Sequence, residues 1–536
     1  MEKRRILKNK TFLYLTEFFA GMSLMAVELG ASRLLAPYFS SSQIVWTIII
    51  GTIMIAMALG NVYGGRSADK NPDPDKLYSR IIVAAVWIAL IPAVGKYVIM
   101  GISAVLIFSV NSGFLIWAAF AACMVIFVFP LFLLGTVTPC LVKYTVEDLG
   151  DSGKTVGLLN ASNTIGSIIG TFVPTFVTIP SVGTSITFLI FSGILLLLCT
   201  IYFFSGGKKS KKVIVGIAVF VIAFIVGKSD SFAFWENDLA YEGESVYNYL
   251  QVKENEDTVY LSTNVLFGVQ SVYEKSETLT GLYYDYAMAA PLMTGVHEKD
   301  HLDMLILGMG TGTFATQCQR YFSEDTALAI EGVEIDESIT DLAREYFALS
   351  EDIPVYTYDG RAYLNAVDKT YDVIMVDAYQ DITIPFQMTS IEFFTMVRDH
   401  LKDDGVLVVN MNMRGEESGS INEYLADTIS AAFSEVYTVD VPRSTNRELL
   451  ASNNPDMLAV FSRNLENESR EDLKALQENT LENLVRYEAG DHVMTDDKAP
   501  VELLSMRMID DLIETEANYY KGIYKEEGLE GLLAAF

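Results

Sequence analysis

Leu302-Asp303-Met304-Leu305-Ile306-Leu307-Gly308-Met309-Gly310-Thr311-Gly312 opens the stretch that decides the fold of this chain. Gly332-Val333-Glu334-Ile335-Asp336, Tyr358-Asp359-Gly360 and Tyr371-Asp372-Val373-Ile374-Met375-Val376-Asp377 complete it. The first segment is a short apolar run entering three alternating glycines, where a tight turn brings backbone N–H groups close to a ligand. The later segments each end in a carboxylate. Helical patterns at 314–321, 337–347, 391–400 and 422–433 alternate with these strands. Such alternation predicts a mainly parallel sheet with helices on both faces. Open α/β sheets bind ligands at the carboxyl edge of their strands, so Glu334, Asp359 and Asp377 are expected to converge on one crevice beside the glycine turn. Carboxylates there suit ribose hydroxyls and an amine, the chemistry of a nucleoside.

Upstream, Tyr247–Lys253 and Thr258–Ser262 are β-rich runs separated by four charged or polar residues, the pattern of a hairpin. Residues 1–230 are apolar in blocks long enough to cross a bilayer, with about seven candidate spans at 12–34, 44–63, 81–100, 114–142, 156–179, 184–204 and 213–228. The basic residues preceding the first span put the N-terminus in the cytoplasm. Seven crossings from there leave the following domain outside, whereas a cytosolic nucleoside requires it inside. A cytoplasmic catalytic half follows if 213–228 lies at the interface, or if 98–110 hides an extra crossing. Within the spans, Glu28 and Arg33 imply an ion pair, snorkelling or a polar cavity. The small residues of 157–170 imply close helix packing.

The chain therefore divides into a polytopic transmembrane domain (1–230), a small β-hairpin domain (231–290), a Rossmann-like nucleoside-binding catalytic domain (291–510) and a helical tail (511–536). The fold class is a multi-span α-helical membrane domain followed by α/β, with a small β unit ahead of a methyltransferase-type sheet. Charge is split along the same line. Residues 1–230 carry 18 Lys/Arg against 10 Asp/Glu, and the remainder carries 20 against 58. So acidic a half argues against nucleic acid. Four scattered Cys form no disulfide framework, and four His show no metal-ligand spacing, so no metal is expected.

Taken in order, these motifs resemble the spermidine synthase (polyamine aminopropyltransferase) family over about residues 240–505. Pro385, Glu392-Phe393-Phe394, Thr495–Glu502, Ser245–Asn248 and Gly268–Ser271 extend the match. The membrane region is similar to one fused to such domains in some bacterial proteins. The resemblance implies transfer of an aminopropyl group from decarboxylated S-adenosylmethionine, a cosubstrate rather than a prosthetic group, to a polyamine-like amine. It implies that Asp377 is the catalytic carboxylate, that Gly308, Gly310, Gly312, Glu334, Asp359 and Gly360 bind the donor, and that Tyr247, Gln270 and Gln380 line the acceptor cavity. A homodimer follows from it too, while the multi-pass position in the cell membrane follows from the apolar blocks of 1–230.

The chain departs from the family pattern at Thr311, at Gln380 and at Tyr286-Ala287, where the family carries Asp, Asp and a Tyr-His pair. Each departure removes a polar group expected to meet an amine. Two other readings therefore stand beside the first. One is an S-adenosylmethionine-dependent methyltransferase. The other is a non-enzymatic transporter or sensor that binds a nucleoside or polyamine.

Overall fold

The computed structural model describes residues 6, 9–107, 109, 113–146, 152–205, 211–228, 231–236, 239–265, 268–276, 278–378, 384–412 and 418–535. They form two compact units, one of residues 1–236, 242–249 and 516–536, the other of residues 237–241 and 250–515.

The first unit is built from α1 (Lys10–Phe39), α2 (Gln43–Lys70), α3 (Pro74–Leu106), α4 (Phe114–Ile126), α5 (Val128–Gly135), α6 (Val137–Thr145), α7 (Ser152–Val173), α8 (Ile179–Ser205) and α9 (Lys211–Gly227). By length and composition, five of its helical runs could cross a membrane. The longest run, Ser152–Ser205, spans 54 residues. It leaves helical geometry at Gly183 (φ 80°), which separates the sequence-predicted segments 156–179 and 184–204. Glycine lets two helices of this unit approach closely. A Cβ on Gly166 or Gly170 would stand 2.0 Å from the carbonyl of Phe18 or Met22, so α1 and α7 touch backbone to backbone. Arg33 does not pair with Glu28. Its guanidinium donates to the carbonyls of Ser245 and Val246. Glu17 is fully buried and accepts hydrogen bonds from Thr138 and Asn163.

The second unit holds most of a four-stranded sheet in the order β1–β2–β3–β4 (Leu239–Glu244, Tyr249–Glu254, Thr258–Ser262, Ser271–Glu274). Strands β2 and β3 pair antiparallel around the charged turn that the sequence predicts. Next come α10 (Tyr283–Ala287), α11 (Ala289–Met293), β5 (His301–Leu307), α12 (Thr313–Phe322), β6 (Ala327–Glu334), α13 (Glu337–Tyr346) and β7 (Val355–Thr357). They are followed by α14 (Gly360–Ala366), β8 (Tyr371–Val376), α15 (Ile391–Asp399), β9 (Leu401–Met411), α16 (Ile421–Ala432), β10 (Glu435–Asp440) and β11 (Arg447–Ser452). The chain ends with α17 (Met457–Asn467), α18 (Glu471–Asn483), β12 (Val485–Arg486) and α19 (Val501–Ala535).

Strands β5–β12 form one sheet in the order β12–β10–β11–β9–β8–β5–β6–β7. The five strands from β7 to β9 are parallel and lie in the doubly wound order. The order of strand addition reverses between β5 and β8, and ligand crevices open at such a switch point. The mainly parallel expectation holds for these five. Strand β11 pairs antiparallel with β10 and β9, because the connection from β10 to β11 is too short for a crossover helix, and β12 pairs antiparallel with β10.

Glycine spacing in the first unit gives a paired prediction. Gly166→Leu should destabilise the detergent-solubilised chain by about 1–3 kcal/mol through overpacking. Gly157→Leu, at a position with open space around it, should leave thermal unfolding unchanged.

Candidate active site

Backbone hydrogen bonds draw the ends of β5, β6, β7 and β8 together. Gly308 and Met309 N–H both donate to the Val333 carbonyl (2.9 and 3.0 Å), Asp377 N–H to Leu307 (2.9 Å) and Tyr358 N–H to Glu334 (3.1 Å). Gly308 (φ 83°) lies so close to β8 that a Cβ there would sit 2.5 Å from the Asp377 carbonyl. Only glycine meets both demands.

Glu334, at the end of β6, is 7% exposed. Its Oε2 accepts the Gly310 N–H (2.9 Å) and its Oε1 the Asp336 N–H (3.1 Å). The carboxylate thereby ties the glycine turn to β6. Burial raises its pKa, and these two N–H bonds work against the rise. Asp359 caps α14, with Oδ1 accepting the Ala362 N–H at 2.8 Å, and Gly360 begins that helix. Asp336 caps α13 in the same manner.

Asp377 follows directly on β8. Tyr283 Oη donates to its Oδ2 at 2.6 Å, and Asn410 Nδ2 donates to its Oδ1 at 2.9 Å. Asn446 Nδ2 in turn donates to Asn410 Oδ1 at 2.8 Å. Burial pushes Asp377 up to about 7; the bonds from Tyr283 and Asn410 oppose this, and the charge of Glu334 adds to it. The opposite edge of the sheet shows what an ordinary buried acid looks like in this domain. There Lys402 bridges Asp303 (2.8 Å) and Asp372 (2.7 Å), and Lys299 also pairs with Asp372 (2.7 Å). Despite burial, hydrogen bonds from these lysines hold Asp372 below the usual carboxylate range. Among the described residues, neither Glu334 nor Asp377 has a lysine or arginine partner. Asp377 thereby stays able to exchange a proton near neutrality.

Gln270 lies at the start of β4, its N–H bonded to the Leu261 carbonyl. The next residue, Ser271, places Oγ 3.4 Å from the position of a Cβ on Gly310, and Thr313 Oγ1 donates to Val272 (2.9 Å). The small sheet thus abuts the glycine turn. Tyr247 falls in the 242–249 stretch of the first unit, exposed, with its N–H on Ser245 Oγ. It is not among the residues that converge in the second unit. Gln380 lies outside the described residues.

The sequence reading missed Tyr283, Asn410 and Asn446. The ring beside Asp377 is that of Tyr283, which lies against its neighbour Tyr284 with centroids 3.9 Å apart. Nothing in the run Tyr283-Tyr284-Asp285-Tyr286 says which ring turns inward. Asn410 was findable, since it ends the apolar run Val406–Val409 as Asp377 ends β8. Among the described residues, Glu423, Asp427 and His492 form the one grouping of metal-capable side chains. Asp427 is already occupied there by Tyr487 Oη and the N–H groups of Gly490 and His492, and it shapes that loop.

The profile described as "Spermine/spermidine synthase domain" matches residues 282–450. A Bifidobacterium longum protein named "Probable polyamine aminopropyl transferase" is 51% identical over 352 residues, covering 62% of this chain and 77% of its own length. A Vibrio vulnificus protein named "Polyamine aminopropyltransferase" is 25% identical over 244 residues, covering 44% and 78%. Among solved structures, a probable spermidine synthase from Corynebacterium glutamicum aligns at 18% identity over 48% of this chain and 98% of its own, with a TM-score of 0.36. The spermidine synthase of Thermotoga maritima aligns at 18% identity over 46% and 88%, also at 0.36.

The electrostatics of Asp377 predict a pH profile. A carboxyl raised to about 7 is charged above that pH and loses its charge as pH falls through it. Turnover that needs this carboxylate should therefore rise with pH to a plateau, with a midpoint near 7 in kcat/KM. Tyr283→Phe removes a donor to the charged form, so it should move the midpoint to higher pH. A midpoint that ignores this substitution would place the titrating group elsewhere.

Proposed function

Because the chain belongs to the spermine/spermidine synthase (polyamine aminopropyltransferase) family, we propose that it moves an aminopropyl group from decarboxylated S-adenosylmethionine to a polyamine-type amine. The observation that carries this reading is the half-buried Asp377, held by Tyr283 and Asn410 beside the glycine turn and near neutrality in its proton affinity.

The reaction is a substitution at carbon. The acceptor nitrogen attacks the methylene next to the sulfonium, and the carbon–sulfur bond breaks. Its electron pair stays on sulfur, leaving neutral methylthioadenosine. The nitrogen must lose a proton, and Asp377 takes it. The same carboxylate opposes the positive charge of the donor, so attraction and proton transfer act at one point. In this reading Gly308, Gly310 and Gly312 let the backbone approach the donor. Glu334 holds the ribose hydroxyls. Asp359, with Gly360 behind it, faces the adenine amine. Gln270, Tyr247 and Gln380 belong to the acceptor side by resemblance. Holding amine, methylene and sulfur in line supplies much of the rate, and this needs no prosthetic group.

The apolar helices of the first unit are proposed to anchor the enzyme in the cell membrane with the catalytic domain in the cytoplasm, as a homodimer. All four cysteines are buried, so none reports the side of the membrane. Ser469 is exposed in the second unit, and a Ser469→Cys chain in sealed vesicles should react with an impermeant thiol reagent only from the cytoplasmic face.

The activity itself is tested with the purified full chain, decarboxylated S-adenosylmethionine and a panel of amines that includes putrescine. Methylthioadenosine and the extended amine should appear together. Asp377→Asn should lower kcat by about 10²–10⁴-fold. Release of S-adenosylhomocysteine from the carboxylated donor would replace this reading with methyl transfer.

A further inference from the structure

Aminopropyl transfer leaves one acid of the helical unit without a role. Glu17 stands about two turns into α1, where that helix meets α6 and α7. Its side chain is 0% exposed. Thr138 Oγ1 of α6 and Asn163 Nδ2 of α7 both donate to Oε1, the asparagine at 2.9 Å. Oε2 is buried as well and has no hydrogen-bond partner among the described residues. Acids inside apolar helices are rare and costly, and a glutamine would accept the same two bonds without risking a buried charge. What glutamate adds is the capacity to gain and lose a proton.

The titratable side chains on the helices around α1 are engaged elsewhere. On α3, Tyr78 shares a hydrogen bond with Thr16, and Arg80 donates to Ser67 of α2. On α6, Cys140 donates to the Gly64 carbonyl and Lys143 pairs with Asp69, both of α2, while Tyr144 lies against Cys140. On α8, Tyr202 donates to Asp75 and Cys199 to the Tyr78 carbonyl. Arg66, Lys70, Lys76 and Lys154 are exposed. No ion pair among the described residues includes Glu17, and neither does the grouping of metal-capable side chains. Packing narrows the ligand further. A Cβ on Gly21, one turn beyond Glu17, would stand 2.6 Å from the Asn163 carbonyl. Helices α1 and α7 therefore touch backbone to backbone beside the carboxyl, a packing that favours a bare proton over a hydrated or organic cation.

We propose that Oε2 of Glu17 is an exchangeable proton site and that release of the proton tightens the junction of α1 with α6 and α7. Two donors on one oxygen suit the charged form, while the apolar surroundings suit the neutral one, so neither form is fixed by its neighbours. Hydrogen bonds to a carboxylate are stronger than those to a neutral acid, so the charge sets how firmly Thr138 and Asn163 hold α6 and α7 to α1. The helical unit is then a proton-responsive element as well as an anchor, whatever reaction the second unit catalyses.

Infrared difference spectra of the full chain in detergent, taken between acid and alkaline pH, test the site. One carboxyl C=O band should give way to carboxylate bands as pH rises, and this change should be missing from Glu17→Gln. The remaining acids contribute equally to both chains. Thr138→Val should shift the midpoint of the Glu17 band by about one pH unit. Identical wild-type and Glu17→Gln spectra, or a midpoint that Thr138→Val leaves in place, overturn the site. Should Glu17→Gln fail to fold, Glu17→Asp keeps the acid and should move the band in frequency; an unmoved band overturns the site equally. Amide hydrogen exchange, compared at equal pH, tests the coupling. Glutamine stands in for the neutral acid, so α6 and α7 should exchange several-fold faster in Glu17→Gln than in the wild type at alkaline pH, and alike at acid pH. Equal exchange at alkaline pH overturns the coupling.

Discussion

The approach of Gly308 to the Asp377 carbonyl is the contact on which the rest of the site depends. Parallel strands β5 and β8 are hydrogen-bonded neighbours, so their carboxyl ends must emerge side by side. A side chain at Gly308 would force them apart. With none there, the turn folds over the end of β8, and Asp377 comes to lie beside the loop that Glu334 fastens to β6. One steric allowance at one residue thus brings together acids 43 positions apart in the chain.

Electrostatics separates this edge from the other. At the amino edge, lysines neutralise Asp303 and Asp372 and hold the strands in register. At the carboxyl edge the partners are neutral donors: a tyrosine, an asparagine and backbone N–H groups. Neutral donors orient a carboxylate without fixing its charge. An acid held in this way, as Asp377 is, exchanges a proton near neutrality, which a lysine-paired acid does not. The acidic balance of the second half of the chain works in the same direction, although surface charge of that kind serves solubility as well.

Much of this was legible in the sequence for a physical reason. Strand, glycine turn and strand-end acid are local patterns, and the parallel sheet turns local position into spatial neighbourhood. The placement of Glu334, Asp359 and Asp377 at or just after strand ends was readable on that ground, as was the helix-capping role of Asp336. Tyr283 was not, because a side chain that reaches 94 residues along the chain to Asp377 leaves no periodic trace. The antiparallel strands were invisible to an argument built on strand–helix alternation. In the first unit, small residues at 157–170 announced close packing, and Gly166 and Gly170 provide it.

In the proposed function, Glu334, Asp359 and Asp377 serve one nucleoside. A structure of the full chain with methylthioadenosine bound tests this most directly. Ribose hydroxyls should rest on Glu334, with the adenine amine toward Asp359 and the sulfur facing Asp377 across the glycine turn. A nucleoside seated elsewhere, or one that leaves Asp377 and Glu334 untouched, would contradict it.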